Sequence, residues 1–203
     1  PETTALNGDN PCRFSNTPHS DFSRPDIQHE FTQALTDIAS LLGHFHSYPV
    51  LAHIRCHGPE LVSTNPALPD QVIARFPTVS PDQMDPIVQY AHNQLRSWRK
   101  VPVPDRAKIL FRTAELIRKR KTELAAWEIL ETGKPWREAD ADVAEAIDFL
   151  EFYGREMIRL GRPQRLGTEP GELNQQIFLP RGVAVVIAPW NFSLAIPTGL
   201  VSA

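Results

Sequence analysis

The sequence predicts an α/β fold, in which a run of helices precedes a buried strand of the kind found in parallel sheets. The stretch GVAVVIA at residues 182–188 is apolar on both faces, which is typical of a parallel strand covered by helices on both sides. Between residues 80 and 161, apolar side chains recur with the period of a helix. Residues 49–78 alternate β-branched and turn-forming residues, which indicates a hairpin or a small meander.

The first elements follow in chain order. Residues 1–25 are rich in Pro, Asn, Ser and Thr, and predict an extended arm. A short helix is expected over residues 25–42, with apolar residues on one face. After the hairpin, Ser80 and Gln83 have the spacing of a capping box and mark the start of a helix to about Lys100.

Two further helices complete the run. Asp105 is the expected N-cap of a helix that continues to about Glu131, where Gly133 supplies the stop. The third helix is expected over residues 136–160. Its apolar residues Val143, Ile147, Leu150 and Met157 are predicted to face inward, and its charged residues Asp140, Asp142, Glu151 and Arg155 are predicted to face water. Two strands, residues 175–179 and 182–188, and the start of another helix near Leu194 follow.

Composition excludes several classes of function. The net charge is −3 and no basic cluster stands out, so we expect no nucleic-acid partner. The basic run at residues 118–121 is interpreted as the solvated end of a helix. No apolar run is long enough to cross a membrane, and no signal peptide is visible. Cys12 and Cys56 lack the spacing of a metal site, so we expect no metal and a reducing, cytoplasmic setting.

The junction after the last strand carries the candidate chemistry. Pro189 ends the strand, and Asn191 then places a neutral amide donor at the end of the sheet where ligands bind in open α/β folds. Such a donor can stabilise an oxyanion. Trp190 and Phe192 could form flat apolar walls for a cofactor or substrate. The residues alone leave a structural alternative open, in which the asparagine caps a helix and the aromatic residues belong to the core.

The stretch IAPWNFSLAI resembles the strand-to-helix junction of NAD(P)-dependent aldehyde dehydrogenases, and the resemblance extends from about Tyr48 to Ala203. The stretches LETGKPWREADADVAEAIDFLEFYGRE and PGELNQQIFLPRGVAVVIAPWNF are similar to the branch of that family that oxidises L-glutamate γ-semialdehyde. The resemblance implies an incomplete aldehyde-dehydrogenase fold, with an N-terminal arm and hairpin, helices and the first part of a Rossmann-like NAD-binding domain. It divides the chain into an arm with a short helix, residues 1–47, and a partial NAD-binding domain, residues 48–203.

The resemblance also assigns roles to individual residues. Asn191 matches the family's oxyanion-hole asparagine, which makes it the one catalytic residue expected here. Glu145 matches a glutamate that faces the α-ammonium group of the substrate, and Phe192 is expected beside the reacting centre. Ser193 departs from the proline usual at that position. The segment that lines the nicotinamide side of the cofactor corresponds to Ile187, Ala188, Pro189 and Trp190.

The family's nucleophilic cysteine and glutamate base have no counterpart in these 203 residues, since neither cysteine lies in a matching motif. We therefore expect the front part of a larger enzyme that is inactive alone, and whose partners are NAD, a small aldehyde and the remainder of the same enzyme. The resemblance further implies a homo-oligomer at full length. Two alternatives stay open: a segment of another aldehyde dehydrogenase, such as one for succinate semialdehyde, or a non-catalytic interaction module.

Overall fold

Helices dominate the structure, a computed structural model that describes residues 14–44, 46, 49–51 and 54–203. The predicted arm lies partly outside these residues, as does Cys12. The helices are α1 (Pro25–Ala39), α2 (Pro81–Trp98), α3 (Val103–Lys119), α4 (Lys121–Thr132), α5 (Trp136–Leu160) and α6 (Ala195–Ser202). The strands are β1 (Pro49–Leu51), β2 (Ile54–Arg55), β3 (Glu60–Asn65), β4 (Leu68–Pro77), β5 (Gln164–Arg165) and β6 (Gln175–Gln176). They form three antiparallel pairs, β1 with β2, β3 with β4 and β5 with β6.

The core lies between α1, α3, α4 and α5, and α5 contributes most of its residues. Small side chains let these helices approach closely, as at Ala114 of α3, which is fully buried. Gly154 of α5 shows how close the approach is, because a Cβ there would lie 2.5 Å from the Phe111 ring of α3. The buried cluster comprises Phe31, Ala114, Ala125, Ala139, Val143, Ile147 and Leu150.

The hairpin and two helix signals predicted from the sequence are confirmed. β3 and β4 pair across the turn after Asn65, whose side-chain oxygen accepts a hydrogen bond from the Ala67 amide at 2.9 Å. Gln83 Oε1 accepts from the Ser80 amide at 3.1 Å at the start of α2. Gly133 ends α4 in the left-handed conformation, with φ of 72°.

The helix expected over residues 105–131 is instead two helices. The first of them begins at Val103 rather than Asp105. The helical geometry is interrupted at Arg120, where φ is −112°. Lys121 is therefore the first residue of α4 rather than part of a solvated helix end, and its side chain is only 15% exposed. The prediction of a solvated basic run is wrong at this residue, because Lys121 has an acidic partner on α5.

The prediction that the charged residues of this helix face water is also wrong, because two aspartates of α5 are buried. Asp140 is fully buried, and its Oδ1 lies 2.7 Å from Lys121 Nζ. Ser20 of the arm donates to the same carboxylate from its amide at 2.8 Å and from its hydroxyl at 2.6 Å. Asp142 is 3% exposed. Periodicity places a residue on a helix face but does not reveal that an arm or a lysine covers that face.

The arm itself packs along α5 over residues 14–24. Asp148 accepts from the Thr17 amide and from the Asn16 side chain, both at 2.8 Å. Phe22 meets the Phe31 ring edge to face, with ring centroids 4.8 Å apart. The arm is thus held by backbone donors and an aromatic contact at separate points along the helical core.

The strand expected at residues 182–188 does not form here. These residues take part in no strand pairing, and the strand expected at 175–179 is reduced to β6. Val185 and Ile187 are 84% and 86% exposed. A parallel strand needs hydrogen-bonding neighbours on its edges, and the described residues include none for this segment. Within the part of the chain that the structure describes, no helix is long and apolar enough to cross a membrane.

Candidate functional site

Helix α5 directs its carboxylates to two different places. Asp140 and Asp148 hold the arm, as described above. Asp142 and Glu145, one helical turn apart, lie on another face of the helix. Asp142 is buried whereas Glu145 is exposed, so the two carboxylates differ in what they can contact.

Asp142 ties the corner before α6 to α5. Its Oδ2 accepts hydrogen bonds from the amides of Leu194 at 3.2 Å and Ala195 at 3.0 Å. Leu194 is the N-cap residue of α6 and Ala195 is its first residue, and backbone amides at the start of a helix lack partners within the helix. Further along α6, a Cβ on Gly199 would lie 2.9 Å from the Phe149 ring, so the helix rests directly on α5. The start of α6 is therefore held against α5.

A groove of about 440 Å³ opens between α5 and this corner. Its lining comes from the end of α4 and the turn after it, from α5 and from the corner. The lining residues are Thr132, Lys134, Glu138, Ala141, Asp142, Glu145, Trp190, Asn191 and Phe192.

Four of the residues predicted from the sequence meet in this groove. Asn191 and Glu145 both line the groove, and Trp190 and Phe192, which flank the asparagine in the chain, line it as well. Asn191 is exposed, and within the described part of the chain no residue hydrogen-bonds its side chain. The amide is thus free to donate to a ligand. The structural alternative, with aromatic residues in a core, does not describe Trp190, which is 72% exposed.

The remaining three predicted residues lie just outside the groove. Ile187, Ala188 and Pro189 precede the corner on the chain and are not among its lining residues. Ala188 is half-buried, whereas Ile187 and Pro189 are exposed. The structure therefore brings the expected catalytic and substrate-binding residues together, and leaves most of the expected cofactor segment as an open surface beside them.

Sequence reasoning missed a buried cluster beneath the groove. Lys134 Nζ lies 3.0 Å from Asp142 Oδ1 and 3.2 Å from Glu128 Oε2. The same ammonium group lies 5.3 Å from the centre of the Phe192 ring. Glu128 offered one signal, because it follows Leu124 by four residues on the apolar stripe of α4. A carboxylate at such a position needs a buried partner.

The pKa of Glu128 is raised from 4.5 to about 8. Burial is the main cause, since it disfavours the charged form, and the nearby carboxylate of Asp142 adds to it. Lys134 opposes this shift but does not outweigh it. Glu128 therefore carries a proton at neutral pH.

The rest of the groove is acidic and exposed. Glu138 and Glu145 lie two turns apart on α5, and both face solvent at the groove. The buried Lys134 is already paired with Asp142, so the accessible charge of the groove is negative. Such a surface favours a ligand that carries a cationic group.

A second cluster combines Ser80, His57 and Asp82 but lacks the arrangement of a catalytic triad. Ser80 Oγ lies 3.0 Å from His57 Nε2 and also donates to Asp82. Asp82 approaches the same Nε2 atom, at 3.3 Å, rather than the other ring nitrogen. In a triad the carboxylate orients the far nitrogen of the histidine. The contact of Ser80 with Asp82 lowers the pKa of Asp82, and the cluster lies at the start of α2.

Comparison with known proteins relates most of the chain to one family. The family model described as the aldehyde dehydrogenase family matches residues 54–203. The chain is 40% identical over 188 residues to 1-pyrroline-5-carboxylate dehydrogenase 1 of Halalkalibacterium halodurans. It is 38% identical over 188 residues to 1-pyrroline-5-carboxylate dehydrogenase 2 of Bacillus subtilis. Each alignment covers 92% of this chain and 36% of the relative, so the chain spans about a third of the length of these relatives.

Solved structures agree with this relationship. Proline utilization A from Bdellovibrio bacteriovorus, inactivated by N-propargylglycine, superposes with a TM-score of 0.90 at 35% identity, over 94% of this chain and 20% of that one. The 1-pyrroline-5-carboxylate dehydrogenase from Thermus with bound NAD has a TM-score of 0.87 at 35% identity, over 94% and 37%. The match confirms the predicted aldehyde-dehydrogenase fold, of which only the N-terminal part is covered. The chain belongs to the aldehyde dehydrogenase family.

Proposed function

We propose that the chain is the N-terminal part of an NAD-dependent dehydrogenase that oxidises L-glutamate γ-semialdehyde to L-glutamate in proline catabolism. Two relatives named 1-pyrroline-5-carboxylate dehydrogenase support this substrate, because 1-pyrroline-5-carboxylate is the cyclic form of the semialdehyde. Support also comes from the match to an enzyme of proline utilization.

The observation that carries the proposal is that Asn191 and Glu145 line the same groove. An aldehyde attacked by a thiolate develops negative charge on its oxygen, and the unpaired amide of Asn191 can donate to that oxygen. Glu145 can accept the α-ammonium group of an amino-acid semialdehyde, with Glu138 adding negative charge nearby. Phe192 supplies an apolar surface for the carbon chain between these two groups.

Residues 187–190 are proposed to hold the cofactor. Ile187 and Trp190 are 86% and 72% exposed, and these open apolar surfaces beside the groove fit a flat nicotinamide ring. Ala188 and Pro189 connect them without a large side chain, so the backbone can be approached closely. NAD, when bound, supplies the acceptor for the hydride that leaves the substrate carbon.

The rest of the reaction is assigned to polypeptide outside these 203 residues, including the cysteine nucleophile and the glutamate base. The same polypeptide is proposed to cover residues 177–187, where Phe178 and Leu179 are 57% and 72% exposed. It follows that the chain is inactive by itself. Homo-oligomer formation and a cytoplasmic location stay predictions from the resemblance and from composition.

The first test replaces Asn191 by Ala in the complete dehydrogenase that contains this chain. The kcat for the semialdehyde is expected to fall roughly 100-fold or more, the scale of losing one oxyanion donor. NADH formation in the steady state measures it. Asn174→Ala is the matched control, because Asn174 lies in an exposed loop and contacts Glu172. An unchanged kcat in Asn191→Ala would reject the oxyanion role.

The second test replaces Glu145 by Gln, which keeps the size of the side chain and removes its charge. The KM for glutamate semialdehyde is expected to rise, while the KM for an aldehyde without an amino group changes little. Glu138→Gln is the matched control within the groove, and its effect should be smaller. Equal effects on both aldehydes would exclude recognition of the ammonium group by Glu145.

The same assays separate the two alternatives. A preference for succinate semialdehyde would support the same reaction with another substrate. Glu145→Gln would then leave the KM for the preferred aldehyde unchanged. A complete protein that forms no NADH from any aldehyde would favour the non-catalytic module.

A further inference from the structure

We propose that Asp142 is a positioning residue that sets the place of the Asn191 amide, and that Lys134 holds Asp142 for this purpose. The proposal rests on the proposed function of Asn191, because a position matters to the reaction only if that amide takes part in it. The positional claim itself concerns the geometry of the corner and can be measured without any reaction.

The first argument is the short path from Asp142 to Asn191. The carboxylate binds the amide of Leu194, and Leu194 is three residues from Asn191 along the chain. The intervening backbone can span at most about 11 Å. The second bond, to Ala195, means that one carboxylate oxygen fixes two consecutive backbone amides. A shift of the corner would break bonds to a buried anion.

The second argument is that Lys134 reaches the corner from another side. Its ammonium group is the ion-pair partner of Asp142 and also lies over the face of Phe192, the residue next to Asn191. The side chain of Lys134 is 11% exposed, so this contact takes place mostly away from water. Asp142 and Lys134 thus hold three residues that follow Asn191 within four positions, Phe192, Leu194 and Ala195.

The third argument concerns the balance of buried charge. Two carboxylates, Glu128 and Asp142, share one ammonium group. Glu128 Oε1 has no hydrogen-bond partner, and Asp142 Oδ1 lacks one as well, although Lys134 Nζ lies 3.0 Å from it. A proton held by Glu128 leaves one anion facing one cation, which agrees with the raised pKa of Glu128. Asp142 then remains the anion that the two amides need.

The test compares three variants of the complete dehydrogenase. Asp142→Ala removes the acceptor, and kcat is expected to fall roughly 10- to 100-fold, with KM changing less, as for a misplaced catalytic group. Asp142→Asn keeps an acceptor oxygen and allows Glu128 to ionise beside Lys134, so it is expected to recover most of the lost kcat. Asp148→Ala is the control, since Asp148 also sits on α5 and accepts a backbone amide, but from the arm.

A second measurement follows the corner directly in the 203-residue chain labelled with 5-fluorotryptophan. The ¹⁹F signal of Trp190, assigned with Trp190→Phe, is expected to shift or broaden in Asp142→Ala and to stay in place in Asp148→Ala. An unmoved Trp190 signal in Asp142→Ala overturns the proposal, as does an unchanged kcat in an active enzyme. A moved signal in a protein whose wild type oxidises no aldehyde supports the positional claim and rejects the proposed function.

Discussion

The helical body, formed by α1 and α3 to α5, and the open segment at residues 177–187 both contain many apolar residues, but these residues lie in opposite environments. Ile147 of α5 is fully buried, whereas Ile187 is 86% exposed. A helix satisfies its own backbone and needs cover on one face only. A central strand needs hydrogen-bonding neighbours on both edges and cover on both faces. The body therefore forms from sequence-local elements, whereas the open segment finds no strand neighbour for residues 182–187 among the described residues.

The largest expected effect comes from removing the buried carboxylate that links the helical body to the arm. Asp140→Ala leaves Lys121 buried without its anion, and we expect a loss of about 3–5 kcal/mol in the free energy of unfolding. Urea denaturation measures it. Glu115→Ala removes an exposed pair with Lys119, and its effect should be much smaller because solvent screens that pair. Equal losses in the two variants would contradict the buried role of Asp140.

The next prediction compares the stability effect of the same substitution, isoleucine to alanine, in the two regions. Ile147→Ala in the body is expected to cost about 2–5 kcal/mol, because it leaves a cavity in a packed core. Ile187→Ala in the open segment should change stability by less than about 0.5 kcal/mol in the 203-residue chain. In the complete dehydrogenase, Ile187→Ala should become destabilising. A large loss at Ile187 in the short chain would mean that the segment is already covered.

The smallest expected effect is on how the free energy of unfolding changes with pH. Glu128 binds its proton more tightly in the folded protein, because its pKa is raised from 4.5 to about 8. Its contribution is fully present below about pH 4.5 and is lost as the pH rises toward 8. Glu128→Gln should flatten this decline. Thermal melts across that range measure it, with Glu131→Gln, on the exposed side of α4, as the control. A profile unchanged by Glu128→Gln would contradict a buried proton.

Local signals made several helix ends predictable from the sequence. Gln83 and Gly133 act on the backbone within a few residues, so the sequence around them is sufficient. The break at Arg120 has no comparable signal, and the expected single helix hid it. The partners of Asp140 lie at residues 20 and 121, on other elements, and helix periodicity carries no information about them.

The candidate site divides in the same way. The resemblance named Asn191, Trp190, Phe192 and Glu145, and the fold brings them to one groove, although their roles stay predictions. Lys134 and Asp142 were missed, because each looks like an ordinary surface charge until the elements pack. The segment at 182–188 was predicted as a strand from its apolar residues, and that pattern does not state where its neighbours come from.

The hydrogen bonds between the arm and α5 have a consequence for biosynthesis. They join residues 120 to 132 positions apart, from Asn16 to Asp148 and from Ser20 to Asp140. At about 5–20 residues per second, the ribosome adds the α5 partners roughly 6–25 seconds after the arm. During that interval the arm of the emerging chain has no α5 to pack against, and a chaperone that binds extended segments has time to engage it.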